Sequence, residues 1–169
     1  MEPDDSYLSS RLNPLLPGDP AVAMSEWYCR LLETNRLHVA RVLTAIGRAR
    51  PGGVLFHCQA GKDRTGLISA TLLGAAGVSP VDIAEDYAFT NPLLEQRRQS
   101  ELNNPSWNAE EQRYHQVLAT ALPETMLGVL KYLEKSYDGV QGYLETTTLQ
   151  TTDLRLLLER FVSNIEGHT

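Results

Sequence analysis

The chain has 169 residues, of which 42% are hydrophobic and 21% are charged, as is typical of one soluble globular domain. Its net charge of −6 makes non-specific binding to nucleic acid or to an anionic membrane surface unfavourable. No apolar run is long enough to cross a bilayer, and the two cysteines form neither a C-x-x-C pair nor a cluster with histidine. We therefore expect a single domain over residues 1–169, with no bound nucleic acid, no integral membrane segment, no metal and no other cofactor.

The cysteines and the N-terminus bear on the cellular compartment. Cys29 and Cys58 are too few for a disulfide framework, and free thiols are typical of a reducing environment. The first ten residues, MEPDDSYLSS, are acidic and polar, unlike a secretory signal. These features predict a cytoplasmic location, while secretion by a route without a signal peptide stays open.

The N-terminal third of the chain predicts one arm, one helix and one strand. Residues 1–20 contain four prolines and little periodicity, which favours a loop or a packed extended arm. Apolar residues recur at helical spacing from Ala23 to about Arg48, and RPGG at 50–53 ends that helix. The run VLFH at 54–57 is apolar and rich in β-formers, so it predicts a short buried strand.

The rest of the chain predicts helices. Ser79 is expected to cap one of them, with Pro80 at its first position. A single strand cannot satisfy its own backbone groups, so either residues 1–20 hold further strands or the rest of the sheet lies outside this chain. The predicted helical segments are 65–77, 79–90, 108–122, 123–139 and 151–165, with partial helix over 92–105.

The loop between the predicted strand and helix, HCQAGKDRTG at 57–66, carries the chemistry. Its backbone N–H groups lie at the N-terminus of the predicted helix, a position that attracts anions. Gly61 and Gly66 allow the backbone to wrap closely around a small anion. Arg64 can donate two parallel hydrogen bonds to a phosphate-like group. The same positive environment lowers the pKa of a thiol, so Cys58 is expected to be a nucleophilic thiolate that forms a cysteinyl-phosphate.

The other polar side chains of the loop have both functional and ordinary interpretations. His57 can fix the loop backbone, and the Thr65 hydroxyl can reach the sulfur. Asp63 can protonate the leaving alcohol and then activate water, or it can merely pair with Arg64 or cap the helix. Lys62 can add positive charge at the rim of the site, or it can be a solvated lysine. The predicted substrate-binding residues are Gln59, Ala60, Gly61, Lys62, Arg64 and Thr65.

HCQAGKDRTG resembles the signature loop of the protein tyrosine phosphatase superfamily, in the A-G-K-D-R form of a bacterial and fungal branch. Three later segments are similar to the same branch: GLISATLLGAAGVSPVDIAEDYAFTN, YLEKSYDGVQGYLE and LQTTDLRLLLERFV. The resemblance covers about residues 24–165 and implies an α/β fold with a central sheet flanked by helices. In this mostly helical chain the N-terminal strands would be missing or supplied elsewhere.

The resemblance also implies an activity, namely metal-free hydrolysis of phosphate monoesters. The implied substrates are phosphotyrosine and also phosphoserine/threonine or phosphoinositides, the last because Lys62 is shared with lipid-directed phosphatases. Cys58 carries over as nucleophile, Arg64 as phosphate clamp and Asp63 as acid and base within the loop. Residues 91–122 fall where the branch has helices that can cover the site, or they form an ordinary exposed insertion.

The chain departs from the resembled family in its short N-terminal part. The missing strands predict that the chain is a truncated or swapped form of such a domain. They also predict a homo-oligomer that covers the incomplete edge of the sheet. Asp19 stands in the position of the acid of the wider superfamily and is an alternative to Asp63. A second hypothesis is a weakly active or inactive fragment that binds phosphorylated ligands.

Overall fold

The computed structural model describes residues 20–102, 106–109, 112, 116 and 119–161. Within these ranges the secondary structure is helical and contains no strand. None of the helices in these ranges combines the length and apolar character needed to cross a bilayer. The helices are α1 (Pro20–Thr34), α2 (Arg36–Gly47), α3 (Asp63–Ala75), α4 (Pro80–Ala88), α5 (Thr90–Leu102), α6 (Pro123–Tyr137), α7 (Gly139–Glu145) and α8 (Thr151–Phe161).

The single helix predicted from Ala23 to about Arg48 is divided in the structure at Asn35. The Asn35 side chain donates from Nδ2 to the carbonyl oxygen of Leu31 at 2.9 Å, and its backbone leaves helical geometry at φ −117°. An asparagine side chain competes in this way with the backbone for helix carbonyls. The apolar periodicity continues across the break, so spacing alone could not reveal it.

The helices that follow the loop agree with the sequence prediction. The structure confirms a helix after the loop, α3, and a helix after Ser79, α4, whose Ser79 Oγ accepts from the Asp82 N–H at 3.2 Å. The polar segment after residue 90 is helical as α5, and α6 and α8 lie within the two predicted C-terminal segments. The helix predicted over 108–122 falls mostly outside the described residues, and α7 was not predicted as a separate element.

The buried strand predicted at 54–57 is wrong for this structure. Residues 53–58 form no regular element, and Leu55 is 90% exposed. The physical reason is that a strand exists only through a partner, and no other part of the described chain pairs with this run. The central sheet of the predicted α/β class is therefore not shown, and any strands within residues 1–19 lie outside the described residues.

The core lies among α1, α2, α3, α4, α6 and α7, and α8 packs on α2. Two guanidinium groups fasten α8 to the turn that precedes the loop. Arg48 pairs with buried Asp153 through two hydrogen bonds of 2.6 and 3.0 Å. Arg160 donates to the carbonyl oxygens of Ala49, Arg50 and Gly52 at 2.9, 2.8 and 2.6 Å. These contacts hold the chain in place just before it enters residues 53–62.

Candidate active site

Residues 58–62 curl around the sulfur of Cys58 and lead directly into α3. Gly61 has φ +75°, a left-handed conformation that side chains other than glycine rarely adopt. Three backbone N–H groups lie within reach of the sulfur: those of Ala60, Gly61 and Thr65. Thr65 is in the first turn of α3, where an N–H has no acceptor inside its own helix. The loop therefore forms a nest of donors around the thiol.

These donors change the acidity of Cys58. Burial by itself raises the pKa of the thiol, but the Thr65 hydroxyl and the backbone N–H groups of Thr65, Gly61 and Ala60 together bring the pKa down from 9.0 to about 7. The Thr65 hydroxyl oxygen is buried and has no partner of full hydrogen-bond geometry among the described residues, so its proton can turn towards the sulfur. By contrast, Cys29 is buried in α1, and burial beside Glu33 raises the pKa of its thiol to about 12.

The outer part of the loop faces solvent. His57 is exposed, and its Nδ1 donates to the carbonyl oxygen of Cys58 at 2.9 Å, which fixes the backbone as the sequence suggested. Gln59 and Arg64 are exposed as well. Arg64 makes no hydrogen bond or ion pair within the described part of the chain, so its guanidinium is available to an anion above the loop.

The side chains of Lys62, which precedes α3, and Asp63, its first residue, contact each other. Lys62 Nζ lies 3.1 Å from Oδ1 of Asp63 and 3.4 Å from the carbonyl oxygen of Thr120. Lys62 is only 2% exposed, so its charge is not at the rim of the site, where the sequence interpretation placed it. The helix start directs this side chain inward, and direct contact with substrate stays a prediction. Asp63 is held near the loop, consistent with the predicted acid, and Asp19 lies outside the described residues.

Two tyrosines that the sequence reasoning missed complete the surroundings of Asp63. Tyr28 of α1 donates from its hydroxyl to Oδ1 of Asp63 at 2.5 Å, and the hydroxyl of Tyr87 in α4 lies 2.8 Å from that of Tyr28. The Tyr87 ring packs on Gly66, where an added Cβ would come within 2.9 Å of the ring. The sequence offered one signal of such a close approach, a glycine at the second position of the predicted helix 65–77.

The region predicted as a cover is anchored beside the loop at both ends. Asn91, near the start of α5, accepts from the N–H of Ala121 and donates to its carbonyl oxygen, both at 2.7 Å. Ala121 follows Thr120, whose carbonyl oxygen accepts from Lys62. Much of the intervening chain lies outside the described residues, so a covering role for 91–122 stays a prediction. Within the described residues no three His, Cys, Asp or Glu side chains converge as a metal site would require.

Comparison with known proteins gives a consistent result. A model of the tyrosine phosphatase family matches residues 5–163. A tyrosine-protein phosphatase of Nostoc commune is 29% identical over 150 residues, which cover 82% of this chain and 49% of that protein. The triple specificity protein phosphatase PtpB of Mycobacterium tuberculosis is 30% identical over 115 residues, which cover 62% of this chain and 41% of that protein. The chain thus spans less than half the length of these two relatives.

Proposed function

Because the chain belongs to the tyrosine phosphatase family, we propose that it hydrolyses phosphate monoesters through a cysteinyl-phosphate on Cys58. The observation that carries the proposal is the nest of N–H groups around the sulfur, together with a pKa of about 7 for the thiol. A thiolate is a nucleophile at neutral pH, and the same donors can hold the oxygens of a phosphoryl group.

The reaction follows from the atoms around the loop. Sγ of Cys58 attacks phosphorus, the bond from phosphorus to the ester oxygen breaks, and Asp63 gives a proton to the departing oxygen. Water then attacks phosphorus, Asp63 takes the proton of that water, and the bond from sulfur to phosphorus breaks to release inorganic phosphate. Arg64, which is exposed beside the loop, clamps the phosphoryl oxygens, and the Thr65 hydroxyl stabilises the departing thiolate.

We propose phosphotyrosine as the first substrate class, with phosphoserine/threonine and phosphoinositides as further candidates. Related proteins are named as a tyrosine-protein phosphatase and as a triple specificity phosphatase. Gln59 and Arg64 are exposed and Cys58 is only half-buried, which supports a loop close to the surface that short phosphoserine side chains can also reach. The buried position of Lys62 does not support its contact with a lipid headgroup.

Hydrolysis of p-nitrophenyl phosphate by the wild type and by Cys58→Ser, both with EDTA present, tests the proposal. We expect turnover in the wild type that ignores the chelator and is abolished in Cys58→Ser. Cys29→Ala is the matched control because it removes the other, buried thiol and should keep the activity. Turnover that survives in Cys58→Ser would contradict the mechanism. A wild type that binds vanadate at Cys58 without turnover would favour the alternative, a module that binds phosphorylated ligands.

The exposed run at 54–57 supports a second part of the proposal, self-association. Val54 is 37% and Leu55 is 90% exposed, although the run has the apolar composition of a strand. Exposed apolar side chains that lie next to each other favour contact with another protein surface. We therefore propose a homo-oligomer in which a second copy of the chain covers this run.

A further inference from the structure

The carboxylate of Asp63 is held by a pair of buried tyrosines that join three helices. Tyr28 of α1 donates to Oδ1 of Asp63 in α3 at 2.5 Å, and the hydroxyls of Tyr28 and Tyr87 of α4 are 2.8 Å apart. Tyr28 is 0% and Tyr87 3% exposed. A buried hydroxyl needs a partner, and these two find theirs in each other and in the one carboxylate of the loop.

The direction of these hydrogen bonds follows from counting protons. A phenol has one proton, and Tyr28 donates its proton to Asp63. Tyr87 must therefore donate to the oxygen of Tyr28. Burial and the nearby Asp63 raise the pKa of Tyr28 well above its usual value, and burial raises that of Tyr87, so both keep their protons at working pH. The chain of donors runs one way, from Tyr87 through Tyr28 to Asp63, and each bond polarises the next.

Oδ1 of Asp63 is occupied from a second side. Lys62 Nζ lies 3.1 Å from the same oxygen and also donates to the carbonyl oxygen of Thr120 at 3.4 Å. Oδ2 has no hydrogen-bond partner among the described residues. The carboxylate is thus fixed by one oxygen, and the other oxygen remains for a reacting group.

We propose that Tyr28, supported by Tyr87, is a positioning residue that orients Asp63 so that Oδ2 carries the proton to the leaving oxygen. The inference rests on the proposed phosphatase function. General acid catalysis depends on placing the proton within hydrogen-bond reach of the oxygen that departs, so a carboxylate that can rotate loses much of its effect. The competing interpretation is that the tyrosine pair only holds α1, α3 and α4 together.

The test compares two aryl phosphates that differ in how much they need an acid. Phenolate is a poor leaving group and requires the proton, whereas 2,4-dinitrophenolate departs without it. For Tyr28→Phe we expect kcat/KM to fall about tenfold with phenyl phosphate and less than about twofold with 2,4-dinitrophenyl phosphate. Tyr87→Phe should also lower kcat/KM more with phenyl phosphate than with 2,4-dinitrophenyl phosphate. Its loss should be smaller than that of Tyr28→Phe, because Tyr87 acts through Tyr28.

Tyr143→Phe is the matched control for lost packing and a lost buried hydroxyl. Tyr143 is also 0% exposed, and its hydroxyl donates to the carbonyl oxygen of Leu32 at 2.8 Å, with no link to the loop. It should lower thermal stability as Tyr28→Phe does while leaving the ratio of the two kcat/KM values unchanged. Tyr28→Phe should also cause no further loss of kcat/KM when Asp63 is already Asn, because an amide has no proton to give to the leaving oxygen, however well Tyr28 orients it.

Several outcomes would overturn the inference. Equal loss with both esters in Tyr28→Phe, or no loss, would leave the tyrosines with a purely structural role. So would a full effect of Tyr28→Phe in the Asp63→Asn background. If Tyr28→Phe does not fold, the same ratio measured in Tyr87→Phe decides. Cys58→Ser reports on the proposed function alone, since it must abolish hydrolysis of both esters whatever the tyrosines do.

Discussion

The acidity of Cys58 gives a prediction that can be checked before any substrate is known. With a pKa of about 7, about half of the thiol is ionised at pH 7, whereas a pKa of 9.0 would leave about 1% ionised. Thiolate is the form that reacts with iodoacetamide. The rate of alkylation of the wild type should therefore rise with pH through a midpoint near 7.

Substitution of Thr65 shows which contact lowers the pKa. The Thr65 hydroxyl is the largest of the contributions that lower the pKa of Cys58, and the backbone donors remain after Thr65→Ala. A rise of about one unit would cut the ionised fraction at pH 7 from about half to about a tenth, which slows alkylation about fivefold. Thr65→Ser keeps a hydroxyl at the same place and should behave as the wild type does.

The measurement has an internal control in the other cysteine. Cys29 is buried and its pKa is raised to about 12, so Cys58→Ser protein should not be alkylated near neutral pH. Mass spectrometry of the modified peptide assigns the reacting thiol directly. A wild-type midpoint near 9.0, or a Thr65→Ala profile identical to that of the wild type, would refute the argument that the loop activates Cys58.

Three further predictions concern packing, pH and association. Gly66→Ala places a Cβ 2.9 Å from the Tyr87 ring. The overpacking costs about 1–3 kcal/mol, against a gain in helix propensity of about 1 kcal/mol. The free energy of unfolding, measured in urea, should therefore fall. Cys58 loses its proton near pH 7 in the folded state and near pH 9.0 in the unfolded chain. The free energy of unfolding of the wild type, relative to that of Cys58→Ser, should therefore rise between pH 7 and 9.0, and this gain should be absent below pH 7. A difference that does not depend on pH would contradict the lowered pKa. If two copies of the chain associate through the run at 54–57, Leu55→Lys should shift the protein towards the monomer in analytical ultracentrifugation. A wild type that already sediments as a monomer would exclude the homo-oligomer.

The helices could be predicted where their signals are local. Ser79 followed by Pro80 marks the start of α4, and the Ser79 hydroxyl caps it in the structure. The break at Asn35 could not be predicted, because apolar spacing runs on through it and one side chain decides the geometry. The prediction of a strand at 54–57 was wrong for a different reason. Composition shows that a run suits a sheet, but only a partner strand makes it one, and partners are not a local property.

The candidate site divides in the same way between local and distant contributions. Cys58 and Arg64 were predicted from one loop, because ten consecutive residues hold the proposed nucleophile, the turn and the proposed phosphate clamp. The support of Asp63 comes from Tyr28, 35 residues away, and the partner of Tyr28 lies 59 residues from it. Nothing in the local pattern links these side chains. Their meeting depends on how α1, α3 and α4 pack, so the proposed proton transfer at the loop depends on the helical core behind it.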